Sequence, residues 1–238
     1  MSSAHAKAGG AEDQQHSDRS LLACHELVKS FGATAALNGA SLELAAGEIV
    51  AVMGPSGSGK STLLHCAAGI LSPDAGEVIF DGESVGGQSD ARRSELRRTQ
   101  FGFVFQFGRL VPELSCGENV SLPLRLGGAR RAEAASRARE WLERLEVADV
   151  ASKVPGEVSG GQGQRVAVAR ALVTRPRVVF ADEPTGALDS LNGERVMQLL
   201  TAAARETAAA VVLVTHEPRV AAYADREVMV RDGRTRAS

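Results

Sequence analysis

The sequence contains only three cysteines among its 238 residues, and they are poorly placed for cross-linking or for binding zinc. Cys24, Cys66 and Cys116 lie far apart, are odd in number and form no C-x-x-C pair. A disulfide framework needs an even set of cysteines, and a structural zinc site needs closely spaced pairs. The cysteine pattern therefore indicates a protein of the reducing cytosol.

Long apolar runs are also missing. No stretch without a charged residue is longer than 61–73, which contains Gly, His and Pro and is short of the roughly 20 apolar residues that a membrane-spanning helix needs. The first residues are small and polar without the apolar segment of a signal peptide, so we expect residues 1–19 to form a disordered tail. The sequence predicts no transmembrane segment, and any association with a membrane would come through another chain.

The chain lacks a strong excess of charge of either sign. Its formal net charge is -2, and its most basic stretches, at 91–98 and 127–140, contain acidic residues among the arginines. Such stretches are typical of solvated helix faces, so nucleic acid is not a predicted partner. Hydrophobic residues make up 44% and charged residues 24%, which is the balance of a globular protein with a sizeable core.

Short apolar runs recur along the chain and predict the strands of a β-sheet. Continuous runs of this kind suit parallel strands that are covered on both faces, and they occur at 49–53, 103–105, 178–180 and 211–214. Two earlier segments, 21–31 and 40–47, mix polar and apolar residues and predict strands at an antiparallel edge.

Helical patterns lie between the apolar runs, at 61–68, 162–173 and 192–207. Strands that alternate with helices predict an α/β fold, with residues 20–238 as one domain. The segment from about 107 to 157 interrupts this alternation. It is predicted to be a loop as far as Gly128 and then a helix, and we interpret it as an inserted helical lobe.

The segment GPSGSGKST, at 54–62, follows one apolar run and precedes a predicted helix, and is called the phosphate loop below. Gly54, Gly59, Lys60 and Ser61 match the G-x-x-x-x-G-K-[ST] pattern. Glycines let backbone N–H groups approach phosphate oxygens, and the following helix presents its positive end. Lys60 is expected to reach the β- and γ-phosphates and Ser61 to bind Mg²⁺. The alternative is a glycine-rich connecting turn without a ligand.

Polar side chains follow several of the predicted strands. Asp182 and Glu183 end an apolar strand, and carboxylates beside a buried strand are costly unless they are paired or bind a cation. We expect Asp182 to hold Mg²⁺ and Glu183 to act as the base that polarises a water molecule. Gln106 and His216 end two other strands, and the carboxyl ends of parallel strands meet at one edge of a sheet. His216 alone would more often be a structural hydrogen-bonding residue.

A further segment, VSGGQGQRVAVARAL from Val158, completes a set of motifs that resembles ATP-binding cassette (ABC) proteins. The motifs GPSGSGKST, FVFQ, VSGGQ, VVFADEPTGALD and VTH occur in the family's order, and the resemblance covers about residues 20–235. It implies the ABC ATPase version of the P-loop NTPase fold. This has a RecA-like, mostly parallel sheet, an antiparallel β edge and an inserted helical subdomain, here at approximately 107–165. It also implies ATP and Mg²⁺ as ligands.

The resemblance assigns roles to individual residues. Catalysis would involve Glu183, His216 and Gln106, and Mg²⁺ would be held by Ser61, Gln106 and Asp182. ATP would contact an aromatic residue that stacks on adenine, the phosphate loop, the signature residues and a loop aspartate: Phe31, Gly54, Pro55, Ser56, Gly57, Ser58, Gly59, Lys60, Ser61, Thr62, Ser159, Gly160, Gly161, Gln162 and Asp189. An ordinary core phenylalanine is the alternative for Phe31. Val158 and Gly163 depart from the commonest signature, but neither change removes a phosphate-binding residue.

In this family two cassettes pack head to tail, so that each ATP lies between one phosphate loop and the other chain's signature. The resemblance thus implies a homodimer or heterodimer at the cytoplasmic face of the membrane, working with separate permease subunits. The segments FGFVFQ, LVPELSCGENVSLPL and DEPTGALDS are similar to ATPases of the lipoprotein-releasing and macrolide-exporting subfamily of bacterial systems. A transmembrane signalling complex and a soluble ABC ATPase acting on ribosomes or DNA are the alternatives.

Overall fold

The structure is a computed structural model that describes residues 20–237, and the tail predicted at 1–19 lies outside the described residues. Its strands are β1 Ser20–Phe31, β2 Thr34–Ala45, β3 Ile49–Met53, β4 Ala75–Phe80, β5 Glu83–Ser84, β6 Phe101–Phe105, β7 Val178–Asp182, β8 Ala210–Val214, β9 Arg226–Arg231 and β10 Arg234–Ala237. Its α-helices are α1 Lys60–Ala67, α2 Asp90–Thr99, α3 Cys116–Leu126, α4 Arg131–Arg144, α5 Gly160–Leu172, α6 Ser190–Glu206 and α7 Pro218–Ala221. Two 3-10 turns, Ala148–Val150 and Pro155–Glu157, lie between α4 and α5.

A six-stranded sheet forms the centre of the fold, in the order β10-β9-β3-β8-β7-β6. All neighbouring strands from β9 to β6 are parallel, and only β10 is antiparallel to its neighbour. Val52 pairs with Val214, Val214 with Asp182, and Asp182 with Phe105. This register brings the carboxyl ends of four strands level at one edge of the sheet.

The parallel strands are buried on both faces, as their continuous apolar runs predict. In β7, Val178 and Phe180 belong to one core cluster, whereas Val179 and Ala181 belong to the other. Successive side chains of a strand point to opposite faces, so a strand covered twice must be apolar throughout. The first cluster also contains residues of α1 and of the antiparallel strands, and the second contains residues of α3, α4, α5 and α6.

The antiparallel strands form a separate four-stranded sheet, in the order β2-β1-β4-β5. The sequence predicted β1 and β2 as an antiparallel edge but missed β4 and β5, which complete this sheet. It also predicted β2 only from Ala40, whereas the strand starts at Thr34, which pairs with Phe31. The pairing of β4 with β1 joins distant parts of the chain, so local periodicity alone does not predict it.

One prediction in the lobe is wrong, because α3 lies in the segment predicted to be a loop. Ser115 Oγ accepts a hydrogen bond from the Glu118 N–H at 3.2 Å, and the Glu118 carboxylate accepts one from the Ser115 N–H at 3.0 Å. This capping box was present in the sequence as S-x-x-E. Gly117 and Pro123 inside the helix obscured it, since both disfavour helix interiors. The lobe's bounds, 107–165, stay a prediction.

The helices predicted at 61–68, 162–173 and 192–207 are present as α1, α5 and α6, and their ends differ from the prediction by one or two residues. Gly69 has a φ of +62° just after α1, as expected for a residue that ends a helix.

The three cysteines are buried, and burial raises the pKa of Cys66 to about 11. They therefore serve as small core side chains.

Candidate functional site

The phosphate loop joins β3 to α1 and is packed tightly between two strands. Gly54 has a φ of +149°, and a Cβ atom there would lie 2.2 Å from the Val230 carbonyl oxygen. Gly59 has a φ of +106°, and its Cβ would lie 2.3 Å from the Ala36 carbonyl oxygen. Both the backbone conformation and the lack of space therefore require glycine at these two positions.

Lys60 is buried at the start of α1, with its ammonium group inside the loop. Lys60 Nζ donates hydrogen bonds to the carbonyl oxygens of Gly54 at 2.9 Å and Pro55 at 3.0 Å. Ser58 Oγ is buried and has no hydrogen-bond partner among the described residues, which is costly for a hydroxyl group. A cation, an unpaired hydroxyl and the positive end of a helix thus belong to one short loop. This donor set fits the phosphates of a nucleotide.

Ser61 and Asp182 connect the phosphate loop to the end of β7. The Ser61 hydroxyl donates a hydrogen bond to Asp182 Oδ1 at 3.0 Å. Hydroxyl and carboxylate oxygens are ligands that Mg²⁺ accepts, while water and substrate phosphates usually complete its octahedral shell. The pair therefore fits a Mg²⁺ ion bound beside the phosphates.

Glu183 and His216 form a contact across the ends of β7 and β8. Glu183 has a φ of +48°, which is uncommon for a residue with a side chain, and its N–H donates to the Val214 carbonyl oxygen at 2.9 Å. His216 Nδ1 lies 2.9 Å and 3.0 Å from the two carboxylate oxygens of Glu183. The imidazole side chain is 57% exposed and the carboxylate 17%, so the pair faces solvent mainly through His216. Such a carboxylate is placed to accept a proton from a water molecule.

Gln106 follows β6 and reaches the same edge of the sheet. A Cβ atom on Gly186 would lie 2.9 Å from Gln106 Nε2, so the amide group packs against this glycine. Within residues 20–237, no hydrogen bond joins Gln106 to Ser61 or Asp182. Gly186 was not identified from the sequence, because a glycine in PTGALD carries no chemical group that would mark it.

The signature residues start α5 and pack against the loop that contains Asp189. Ser159 Oγ accepts from the Gln162 N–H at 3.3 Å, and Gln162 Oε1 accepts from the Ser159 N–H at 3.0 Å. Asp189 caps α6 in a similar way, and a Cβ on Gly161 would lie 2.6 Å from Asn192 Oδ1. In the described part of the chain, no hydrogen bond connects 159–162 with the phosphate loop. The structure brings Asp189 and the signature together, but not the signature and the phosphate loop.

Phe31 lies at the end of β1, in the hairpin that packs against the phosphate loop through Ala36. Its side chain is exposed, with the residue 51% accessible, and Lys29 Nζ lies 5.9 Å from the ring centroid. The alternative of an ordinary core phenylalanine is therefore wrong. An exposed ring at the end of this hairpin is free to stack on a planar ligand.

Comparisons with known proteins agree with this geometry. The model of the ABC transporter family matches residues 37–186. The lipoprotein-releasing system ATP-binding protein LolD of Rhodopseudomonas palustris strain BisB5 is 48% identical over 197 residues, covering 83% of this chain and 85% of that protein. LolD of Bordetella pertussis strain Tohama I is 48% identical over 198 residues, covering 83% and 86%.

Solved structures are similar across almost the whole described chain. The dimeric, post-hydrolysis structure of the ATP-binding cassette MJ0796 with ADP and Pi is 39% identical, with a TM-score of 0.83, and covers 91% of this chain and 98% of that one. The structure of cbiO1 from Clostridium perfringens, part of the transporter complex cbiONQ, is 30% identical, with a TM-score of 0.82, and covers 92% and 87%.

Proposed function

The chain belongs to the ABC transporter family as a subunit that binds and hydrolyses ATP, and from this premise we propose that it drives a separate membrane permease that releases lipoproteins. The observation that carries this proposal is the 48% identity to LolD proteins over 83% of the chain. The finer resemblance of FGFVFQ, LVPELSCGENVSLPL and DEPTGALDS to the lipoprotein-releasing subfamily supports it.

ATP would bind with its triphosphate in the phosphate loop and its adenine on Phe31. The loop N–H groups and the Lys60 ammonium would hold the β- and γ-phosphates. Ser61 and Asp182 would hold Mg²⁺, with Gln106 as a further ligand once its side chain leaves Gly186. When bound, Mg²⁺ neutralises negative charge on the phosphate oxygens.

Glu183 would act as the general base for hydrolysis. Its carboxylate would accept a proton from water as the water oxygen bonds to the γ-phosphorus and the bond to the bridging oxygen breaks. His216 already contacts both carboxylate oxygens, and the exposed side of its ring would hold the γ-phosphate. If a second cassette closed over the site and excluded water, the contacts of Glu183 and His216 with the water and the γ-phosphate would become stronger.

The site is half of a complete nucleotide site. The backbone N–H groups at Ser159–Gly161 would bind the γ-phosphate held by a second cassette, and Asp189 would cross to that cassette. MJ0796, at 39% identity, has been solved as a dimer. We infer that ATP holds two cassettes together, as a homodimer or heterodimer, and that hydrolysis separates them.

The permease would be a separate integral membrane chain, and the present chain would bind it at the cytoplasmic face of the membrane. Among residues 20–237, no helix combines the length and apolar character needed to cross a bilayer. A transmembrane signalling complex would use the same ATP chemistry, so the similarity to LolD proteins is what favours transport.

The test is to purify the chain with the membrane subunits that bind it and to reconstitute them in proteoliposomes that contain a labelled lipoprotein. We expect ATP to cause release of the lipoprotein with wild-type protein but not with Glu183→Gln. ATP hydrolysis without release, together with activation of an enzyme on the far side of the membrane, would favour signalling. Recovery with ribosomes or DNA and with no membrane protein would contradict both.

A further inference from the structure

The turn that carries Gln106 is hydrogen-bonded to the signature helix, α5. Phe105 O accepts from the Gly108 N–H at 2.9 Å, which closes a turn around Gln106 and Phe107. The same oxygen accepts a second hydrogen bond from Gln164 Nε2 at 2.8 Å. Gln164 is only 3% exposed, so water does not compete for this bond.

A second side chain of α5 holds the following residues of the turn. Arg170 Nη1 donates to the Arg109 carbonyl oxygen at 2.8 Å, and Arg170 Nη2 donates to the Gly108 carbonyl oxygen at 2.6 Å. Gly108 and Arg109 both have positive φ, of +64° and +47°. The planar guanidinium group thus fixes two consecutive carbonyl groups at once.

The backbones of the turn and of β6 also lie directly on α5. A Cβ on Gly102 would lie 2.4 Å from the Ala171 carbonyl oxygen, and a Cβ on Gly108 would lie 3.5 Å from the Ala167 Cβ atom. No side chain fits between β6 and α5 at Gly102. In such a closely packed interior, a movement of the helix also moves the strand. The Gln106 turn and α5 should therefore move together.

We propose that Gln164 and Arg170 are positioning residues that fasten the Gln106 turn to the signature helix. The inference rests on the function proposed above for Gln106 and for Ser159–Gly161. α5 starts at the signature residues Ser159–Gly161. When these signature residues move onto the nucleotide of the partner cassette, α5 would therefore move Gln106 towards the nucleotide bound by its own chain.

The experiment is a double-mutant cycle on ATP turnover by the full chain. Gln164→Leu keeps the side-chain volume but removes the donor to Phe105 O, and we expect kcat to fall about three- to tenfold, the effect of one hydrogen bond, while KM changes little. Gln106→Ala gives the loss due to Gln106 itself. Because Gln164 acts through Gln106, the double variant should have the kcat of Gln106→Ala alone.

A second variant and a control separate positioning from general stability. Arg170→Lys keeps the charge and gives a smaller fall in kcat, which also vanishes in the Gln106→Ala background. Val166→Ala truncates a buried side chain of the same helix, so it should lower Tm, and any loss of kcat should multiply with that of Gln106→Ala.

Two results would overturn the inference. If the losses of Gln164→Leu and Gln106→Ala multiply in the double variant, or if Gln164→Leu keeps wild-type kcat, the positioning role fails while the proposed function stands. If Gln106→Ala itself keeps wild-type kcat, the role proposed for Gln106 fails and the inference falls with it. Glu183→Gln, assayed in the same series, reports separately on the proposed catalytic base.

Discussion

His216 Nδ1 lies 2.9 Å from Glu183 Oε1 and 3.0 Å from Glu183 Oε2, so the imidazole contacts both oxygens of the carboxylate. The two residues come from neighbouring parallel strands whose register pairs Asp182 with Val214. Held in this way, the Glu183 side chain has little freedom to rotate. The orientation of its carboxylate is set by His216 rather than by solvent. The pair therefore places a fixed carboxylate at the edge of the sheet where β3 ends and the phosphate loop begins.

Glu183→Gln should abolish proton transfer without removing a phosphate-binding residue. A lost general base typically costs 10²- to 10⁴-fold in rate, so we expect kcat for ATP to fall by about that amount while ATP affinity is kept. Steady-state phosphate release and equilibrium nucleotide binding would measure the two effects. Glu194→Gln, on the exposed side of α6, is the matched control and should retain wild-type turnover. Unchanged hydrolysis in Glu183→Gln would remove this residue from its proposed role.

Gly59→Ala should distort the phosphate loop. The added Cβ would collide with the Ala36 carbonyl oxygen, and a φ of +106° is strained for alanine, with a cost of about 1–3 kcal/mol. We expect Tm to fall by several degrees and ATP binding to weaken. Gly86→Ala is the control, because nothing lies within 4 Å of a Cβ there and its φ is ordinary. Equal thermal stability and equal ATP affinity for the two variants would show that the loop tolerates a side chain at Gly59.

Gly186→Ala should act on Gln106 while sparing the fold. The new methyl group would lie 2.9 Å from Gln106 Nε2, which is the end of a flexible side chain that moves at low cost, and the backbone of Gly186 is not strained. We therefore expect little change in Tm but an altered kcat or an altered Mg²⁺ requirement. Thermal unfolding and Mg²⁺ titration of turnover would test this. A large drop in Tm with normal kinetics would instead indicate a packing role for Gly186.

Removal of Mg²⁺ should stop hydrolysis. We assign Ser61, Asp182 and Gln106 to the ion. Excess chelator should therefore abolish ATP turnover, and added Mg²⁺ should restore it. Asp182→Asn should raise the Mg²⁺ concentration for half-maximal turnover by about tenfold or more, since it removes a charged ligand. Turnover that persists in excess chelator would contradict this assignment.

The sequence predicted the parts of the site that depend on short local motifs. The phosphate loop, Asp182, Glu183 and His216 each follow a continuous apolar strand, and strand ends in a parallel sheet must meet at one edge. The contacts of Gln164 and Arg170 with the Gln106 turn were not predicted, because they join residues 59 and 61–62 positions apart. Nor was α3, since Pro123 outweighed the capping signal of Ser115 and Glu118.

The central claim is that one chain holds half of an ATP site and that a second cassette supplies the rest. The most direct measurement is the molar mass of Glu183→Gln in solution with and without ATP, by size-exclusion chromatography with light scattering. We predict a monomer without nucleotide and a dimer with ATP, and a monomer in both conditions when Ser159→Arg is added, although that variant still binds ATP. A nucleotide-loaded Glu183→Gln protein that stays monomeric at high concentration would contradict the claim.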